Sequence, residues 1–149
     1  MISFEDILAG WEKDCVIDQV ELDESSIRFA RIHSKYLNLL TESKLIGKRL
    51  TSKFDVLKRD KWMYYHGKMT REQIDSRGWK YDPFEGASKP LKSDMNMFID
   101  TDLDVQRLSE QIEYQKTITE AIEEIMGTLR WRHSAIKNII DFRKFTSGA

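Results

Sequence analysis

Residues 58–68 read Lys-Arg-Asp-Lys-Trp-Met-Tyr-Tyr-His-Gly-Lys. The cations Lys58, Arg59 and Lys61 interleave with the aromatics Trp62, Tyr64 and Tyr65, and Lys44, Lys48, Arg49 and Lys53 precede them. Cationic side chains neutralise phosphates and release counterions. Aromatic faces stack on unpaired bases, each worth about 1–3 kcal/mol. Together they meet the needs of a single-strand binder with little sequence preference. The competing reading is a solvated basic helix face whose aromatics pack at a helix end. A weaker cluster, Arg130, Arg132 and Lys137 with Trp131 and His133, reads either as a second phosphate strip or as charges suited to a helix C-terminus.

Other chemistry is poorly supported. The acids Asp94, Asp100, Asp102, Asp104, Glu110 and Glu113 have neither the spacing of a calcium loop nor that of a paired-carboxylate motif. Asp100, Thr101 and Asp102 are better read as capping a following helix. One cysteine and three scattered histidines, His33, His66 and His133, exclude the usual zinc frameworks. No phosphate-binding loop, dinucleotide turn or nucleophile elbow is present. No enzyme activity, metal or cofactor is expected, and no means of binding ATP is visible.

The elements that must position the basic segment are helical. Ser3 with Asp6 has capping-box spacing, and Phe4, Ile7, Leu8 and Trp11 follow on one face. This helix should break between Asp14 and Asp18. A long helix should start near Asp23 or Glu24 and end at Tyr64, before Gly67. Its stripe of Ile32, Tyr36, Leu39, Ser43, Ile46 and Leu50 steps by four and three, the heptad spacing. A stricter stripe runs Val105, Leu108, Ile112, Gln115, Thr119, Ile122, Met126, Leu129, His133, Ile136, Ile140 and Arg143. Ile118, Ile125, Ile139 and Phe142 widen it. Gln115, Thr119 and His133 are polar seam positions of the kind that fix register. Two long helices alone leave much apolar surface uncovered, which favours oligomerisation. Oligomerisation is assigned to Leu108, Ile112, Ile122, Met126, Leu129, Ile136 and Ile140, with an intramolecular core as the other reading.

The expected fold is all-α, with long heptad helices assembling into a ring-like homo-oligomer. One helical domain, 1–149, is expected. In it, 1–66 hold the N-terminal helices and basic segment, 67–92 a connector, and 93–149 the oligomerisation helices. Both prolines, Pro83 and Pro90, fall in the connector, which has room for a short helix begun by Thr70.

The chain has 149 residues, with 33% charged and 40% apolar, a composition suited to folding in water. No uncharged run is long enough to span a bilayer, and the acidic N-terminus is not that of a secretory signal. Cys15, the single cysteine, is expected to be a buried small apolar residue in a reducing compartment. Net charge is −1, but residues 1–26 carry −7, residues 44–80 carry +7, residues 94–126 carry −7 and residues 127–149 carry +4. Such blocks suit a polyanion partner or pairing between opposite blocks of neighbouring subunits. The second possibility defines the alternative function, a structural coiled-coil adaptor that binds no nucleic acid.

Several strings resemble the UvsY family, the recombination mediators of T-even-type phages. They are Ala135-Ile136-Lys137-x-Ile139-x-Asp141-x-Arg143-x-Phe145-x-x-Gly148, and Tyr64-Tyr65 with Gly67. Glu5-Asp6, Lys13-Asp14, Ile17-Asp18 and Ser34-Lys35-Tyr36-Leu37-Asn38 join them in order along the chain. The connector matches least. The resemblance implies a small all-helical protein forming a ring, here a hexamer or heptamer, in the cytoplasm of an infected bacterium. It implies non-specific binding of single-stranded DNA and loading of a RecA-like recombinase onto strands coated by the phage single-strand binding protein. Both proteins would be partners, in recombination, repair and recombination-dependent replication, with no catalysis and no membrane. The family's two DNA-contacting basic residues fall on Arg59 and Lys61. Trp62 and Met63 stand where the family has an aliphatic residue and an acid.

Overall fold

The structure, a computed structural model, describes residues 2–148. Ser3 and Asp6 cap α1 (Phe4–Asp14): the Ser3 hydroxyl accepts from the Asp6 N–H, and the Asp6 carboxylate accepts from the Ser3 N–H. Two donors at the helix start are thus satisfied reciprocally. Helix α2 (Leu22–Tyr65) passes through Gly47 without a break, and Gly67 follows its end. Gly67 sits at φ 69°, its N–H bonds to the Tyr64 carbonyl and the Lys68 N–H to the Met63 carbonyl. This pattern needs a left-handed residue after the helix, which glycine adopts without strain. Thr70 and Gln73 form a second capping box on α3 (Arg71–Ser76). Helix α4 (Met95–Asp100) is short. Asp102 then starts α5 (Leu103–Thr146), its carboxylate accepting from the N–H groups of Asp104 and Val105. Helix α5 continues through Gly127, and no strand occurs among the described residues.

The chain divides into two compact units that cut across the expected linear division, because each long helix contributes to both. The first unit joins Met1–Ile46 to Gln115–Ala149. Its core is Ile7, Ile32, Tyr36, Ile118, Ile122, Ile125, Met126 and Leu129. Trp11 meets Tyr36 edge to face at 5.6 Å, and the Tyr36 hydroxyl donates to Asp14 at 2.9 Å. A polar layer interrupts the stripe: Ser43 Oγ lies 2.7 Å from Thr119 Oγ1, and Gln115 Nε2 donates to Ser43 Oγ at 2.7 Å. Slipping the register would strand these groups away from water, so the layer fixes it. Arg132 closes the C-terminal end of α1, donating to the carbonyls of Asp14 and Val16.

The second unit is Gly47–Tyr114. It holds the end of α2, α3, α4 and the start of α5. Its buried apolar residues are Tyr64, Ile74, Met95, Ile99 and Val105.

Four residues assigned to oligomerisation, Ile122, Met126, Leu129 and Ile136, lie buried inside the subunit. The heptad pattern is the same whether the facing helix belongs to the same chain or another, and here Ile122, Met126 and Leu129 share a core with Ile7 of α1 and with Ile32 and Tyr36 of α2. Leu108, Ile112 and Ile140 are half-buried. His133, placed on the seam by spacing, is exposed, as are all residues from Asp141 to Gly148. Leu8 is 44% exposed, unlike Phe4, Ile7 and Trp11, because the buried face of α1 is narrower than its apolar stripe. Cys15 is exposed rather than buried: it follows the last turn of α1, where its thiol donates to the Glu12 carbonyl.

Leu129 is fully enclosed. Leu129→Ala should destabilise the protein by about 2–5 kcal/mol, read as a lowered urea midpoint. A loss below about 1 kcal/mol would place Leu129 outside a packed core.

Candidate nucleic-acid interface

The last turns of α2 turn one face of the basic segment, with Asp60, Lys61 and Tyr64, inward and leave another outside. Lys61 and Tyr64 point into the second unit, whereas Arg59 and Trp62 point out. Only 4% of the Lys61 side chain is exposed. Its ammonium lies 3.0 Å from Asp102, 2.9 Å from Asp104 and 3.9 Å from the centre of the Trp79 ring. A buried ammonium is tolerable only with such partners. Burial opposes ionisation of Asp102, but hydrogen bonds from Lys61 and from the Tyr65 hydroxyl outweigh it and hold its carboxyl below the usual range. The same Tyr65 bond, 2.8 Å long, adds to burial in pushing the phenol well above its ordinary range. The Tyr64 hydroxyl donates to the Lys80 carbonyl at 2.5 Å, and its ring lies 5.0 Å from that of Trp79.

Asp60 is also enclosed. It receives Arg59 Nη2 at 3.1 Å and Arg77 Nη1 at 2.6 Å. Burial raises its carboxyl, but the bonds from Arg77 and Arg59 prevail and lower it. The Arg59 side chain stays 67% exposed despite this contact. Lys58 bridges to Asp100 at 3.2 Å and lies 5.7 Å from the centre of the Phe54 ring. Arg49 and Lys53 are exposed and make no ion pair among the described residues. Trp62, 40% exposed, stacks on His66 at 4.1 Å, with the Lys68 ammonium 4.5 Å from its ring centre.

Of the residues that the sequence marks for single-strand binding, Arg49, Lys53, Lys58, Arg59 and Trp62 are thus at the surface. Tyr65 is half-buried, and Lys61 and Tyr64 are interior. Sequence reasoning did not single out His66 and Lys68, although both lie in the segment, nor the role of Arg71, whose guanidinium lies 5.0 Å from the centre of the exposed Tyr81 ring. It also missed that Asp100, Asp102 and Asp104 pair with Lys58 and Lys61 of the same chain. Part of the charge-block complementarity is therefore satisfied within the subunit. In the weaker cluster, Arg130 and Lys137 are exposed, whereas Arg132 is buried on backbone carbonyls. The described residues hold no group of three or more potential metal ligands, and none of their helices is long and apolar enough to cross a membrane.

The profile of a family described as "Recombination, repair and ssDNA binding protein UvsY" matches residues 10–149. The chain belongs to the UvsY family. Among relatives, the recombination protein uvsY of Enterobacteria phage T4 is 25% identical over 144 residues, covering 97% of each chain. A crystal structure of the bacteriophage T4 recombination mediator protein UvsY superposes with a TM-score of 0.82 at 23% identity, over 99% of each chain. A second lattice form of that protein gives 0.79 at 21% identity, over 97% of this chain and 99% of the other. These structures establish the UvsY fold. The family is one of non-enzymatic recombination and repair proteins that bind single-stranded DNA. The basic segment and the connector both lie inside the matched span.

Lys61→Ala should lower stability by about 3–5 kcal/mol, because it leaves Asp102 buried without its cation. Lys53→Ala should change it by no more than about 0.5 kcal/mol. Equal melting temperatures for the two variants would show that the Lys61 ion pairs contribute little. A pH series gives a separate check. The carboxyls of Asp14, Asp60 and Asp102 are all lowered in the folded chain. Their stabilisation is complete above the ordinary carboxylate range, near pH 4, and is lost as pH falls through the lowered folded values. Urea midpoints should therefore fall steadily from about pH 4 downward; a flat profile would contradict the assignment.

Proposed function

We propose that this protein is a recombination mediator that binds single-stranded DNA non-specifically through side chains that α2 leaves at the surface, using Arg49, Lys53, Lys58, Arg59 and Trp62. The observation that carries this reading is the family match across residues 10–149, a span that includes several surface cations and an exposed aromatic ring on α2. The cations meet phosphates and Trp62 meets a base, which makes binding salt-dependent and tolerant of sequence. Lys61 acts from the interior, holding the end of α2 against the start of α5, so that its neighbours are presented in fixed positions. Tyr64 and Tyr65 do the same through their hydroxyls.

In this reading the subunits assemble into a ring of six or seven. Leu108, Ile112 and Ile140, only half-buried in the subunit, and the exposed Phe142 and Phe145 offer apolar surface for assembly. Many linked copies of a weak site raise avidity by roughly 10²–10⁴ where geometry permits. The ring then holds a strand in an arrangement that a RecA-like recombinase accepts better than the phage single-strand binding protein does. Loading follows from that difference in affinity, with no bond made or broken.

The test is titration of a labelled single-stranded oligonucleotide, followed by fluorescence anisotropy at several salt concentrations. Affinity should fall steeply with salt and exceed that for duplex of equal length. Arg59→Ala with Lys53→Ala should weaken binding and reduce the salt slope by about 0.7 for each phosphate no longer neutralised, with assembly unchanged in sedimentation. No binding even at low salt would sink the mediator reading and favour the adaptor.

A further inference from the structure

The connector is more than a link. Between residues 64 and 89 it folds into an open recess of about 380 Å³, walled by Tyr64, Tyr65, Tyr81, Pro83, Phe84 and Lys89. Small-ligand pockets typically span about 300–1,000 Å³. Four of the eleven lining residues are aromatic: the Tyr64 and Tyr65 centroids are 5.2 Å apart, and those of Tyr65 and Phe84 5.9 Å. The polar groups of these residues are mostly engaged. The two inner tyrosine hydroxyls donate to Lys80 and Asp102. The Asp82 carboxylate, also in the lining, accepts from the N–H groups of Phe84 and Gly86.

The surroundings are cationic. Lys89 reaches the His66 carbonyl at 3.3 Å, and Arg71 lies over the ring of Tyr81, which is 63% exposed. The frame is also pre-built. Gly67, Gly78 and Gly86 turn the chain at positive φ, and Trp79 is fixed against Lys61 and Tyr64. Little ordering is then needed when a ligand enters.

We infer that this recess is a second element of the single-strand site: it takes one unstacked nucleobase, stacked on Tyr81 and Phe84, while Arg71 and Lys89 meet the flanking phosphates. The inference rests on the proposed binding of single-stranded DNA and assigns the connector a part in it. Ring faces suit any base, because every base has a π face. Adjacent cations suit a base that carries its phosphates better than an apolar peptide side chain.

The test compares a labelled oligothymidylate with an abasic deoxyribose-phosphate chain of the same length and charge. Wild-type protein should prefer the base-bearing chain about fivefold or more. Tyr81→Ala should lower that preference by the share that Trp62 does not supply, whereas Tyr81→Phe should keep it. Circular dichroism and melting would establish that the alanine variant is folded. Independently of any variant, an oligonucleotide carrying 5-iodouracil should photocrosslink to residues 81–84 of the wild type. Equal affinity of wild-type protein for both chains would overturn the inference, and the base contact of Trp62 with it, while leaving phosphate-driven binding intact. Equal weakening of both chains in Tyr81→Ala, or crosslinks confined to Trp62, would also overturn it. Failure to bind either chain would instead defeat the underlying proposal, and this inference with it.

Discussion

The second unit depends on one buried ammonium. Lys61 lies on the inner face of α2, where only apolar residues or paired charges are stable. Asp102 and Asp104 meet its charge from the start of α5, and Trp79 offers its ring from the connector. One side chain thus joins three parts of the chain that are far apart in sequence. Asp102 carries the most: it accepts from Lys61 and from the Tyr65 hydroxyl, and it also caps α5 through two backbone N–H groups. Helix start, ion pair and aromatic anchor share one carboxylate.

The same arrangement separates structural from available charge. Residues 44–80 carry a large positive excess, yet its cations are not equivalent. Lys61 is consumed by the interior, and Lys58 is drawn to Asp100. Lys44 bridges to Glu123 within the first unit. Arg49 and Lys53 remain solvated without ion pairs among the described residues, and Arg59 stays largely exposed. Exposed cations interact weakly with isolated carboxylates but strongly with a polyanion, whose condensed counterions they release. A chain of net charge −1 can in this way present a local surface suited to DNA.

The first unit solves a different problem. Long heptad stripes are permissive about register, since one apolar layer resembles the next. The Ser43, Gln115 and Thr119 layer removes that freedom, because its groups bond only in one alignment. Arg132 reaches the carbonyl of Asp14, at the end of α1, and that of Val16 just beyond it, tying the short helix to α5. Arg132 could be read from sequence only as a cation, because the carbonyls that need it are far away along the chain.

Local physics made much of the fold legible in the sequence. Ser3 with Asp6 and Thr70 with Gln73 cap helices through neighbours three residues away, and Gly67 ends α2 through the next turn. Period and proline placement were enough for two long helices flanking a connector, and short motifs were enough for the UvsY family. Tertiary structure alone decided which side of each helix is covered and by what. It turned Lys61 and Tyr64 inward while leaving Arg59 and Trp62 outside, and it enclosed Ile122 and Leu129 within one subunit. It also left Cys15 and His133 in solvent and folded the poorly matched connector into an aromatic recess. The reason is range. Capping and helix termination act within a turn, so residue order determines them. Burial and ion pairing depend on residues brought close from elsewhere in the chain, and spacing along one helix does not show which ones arrive.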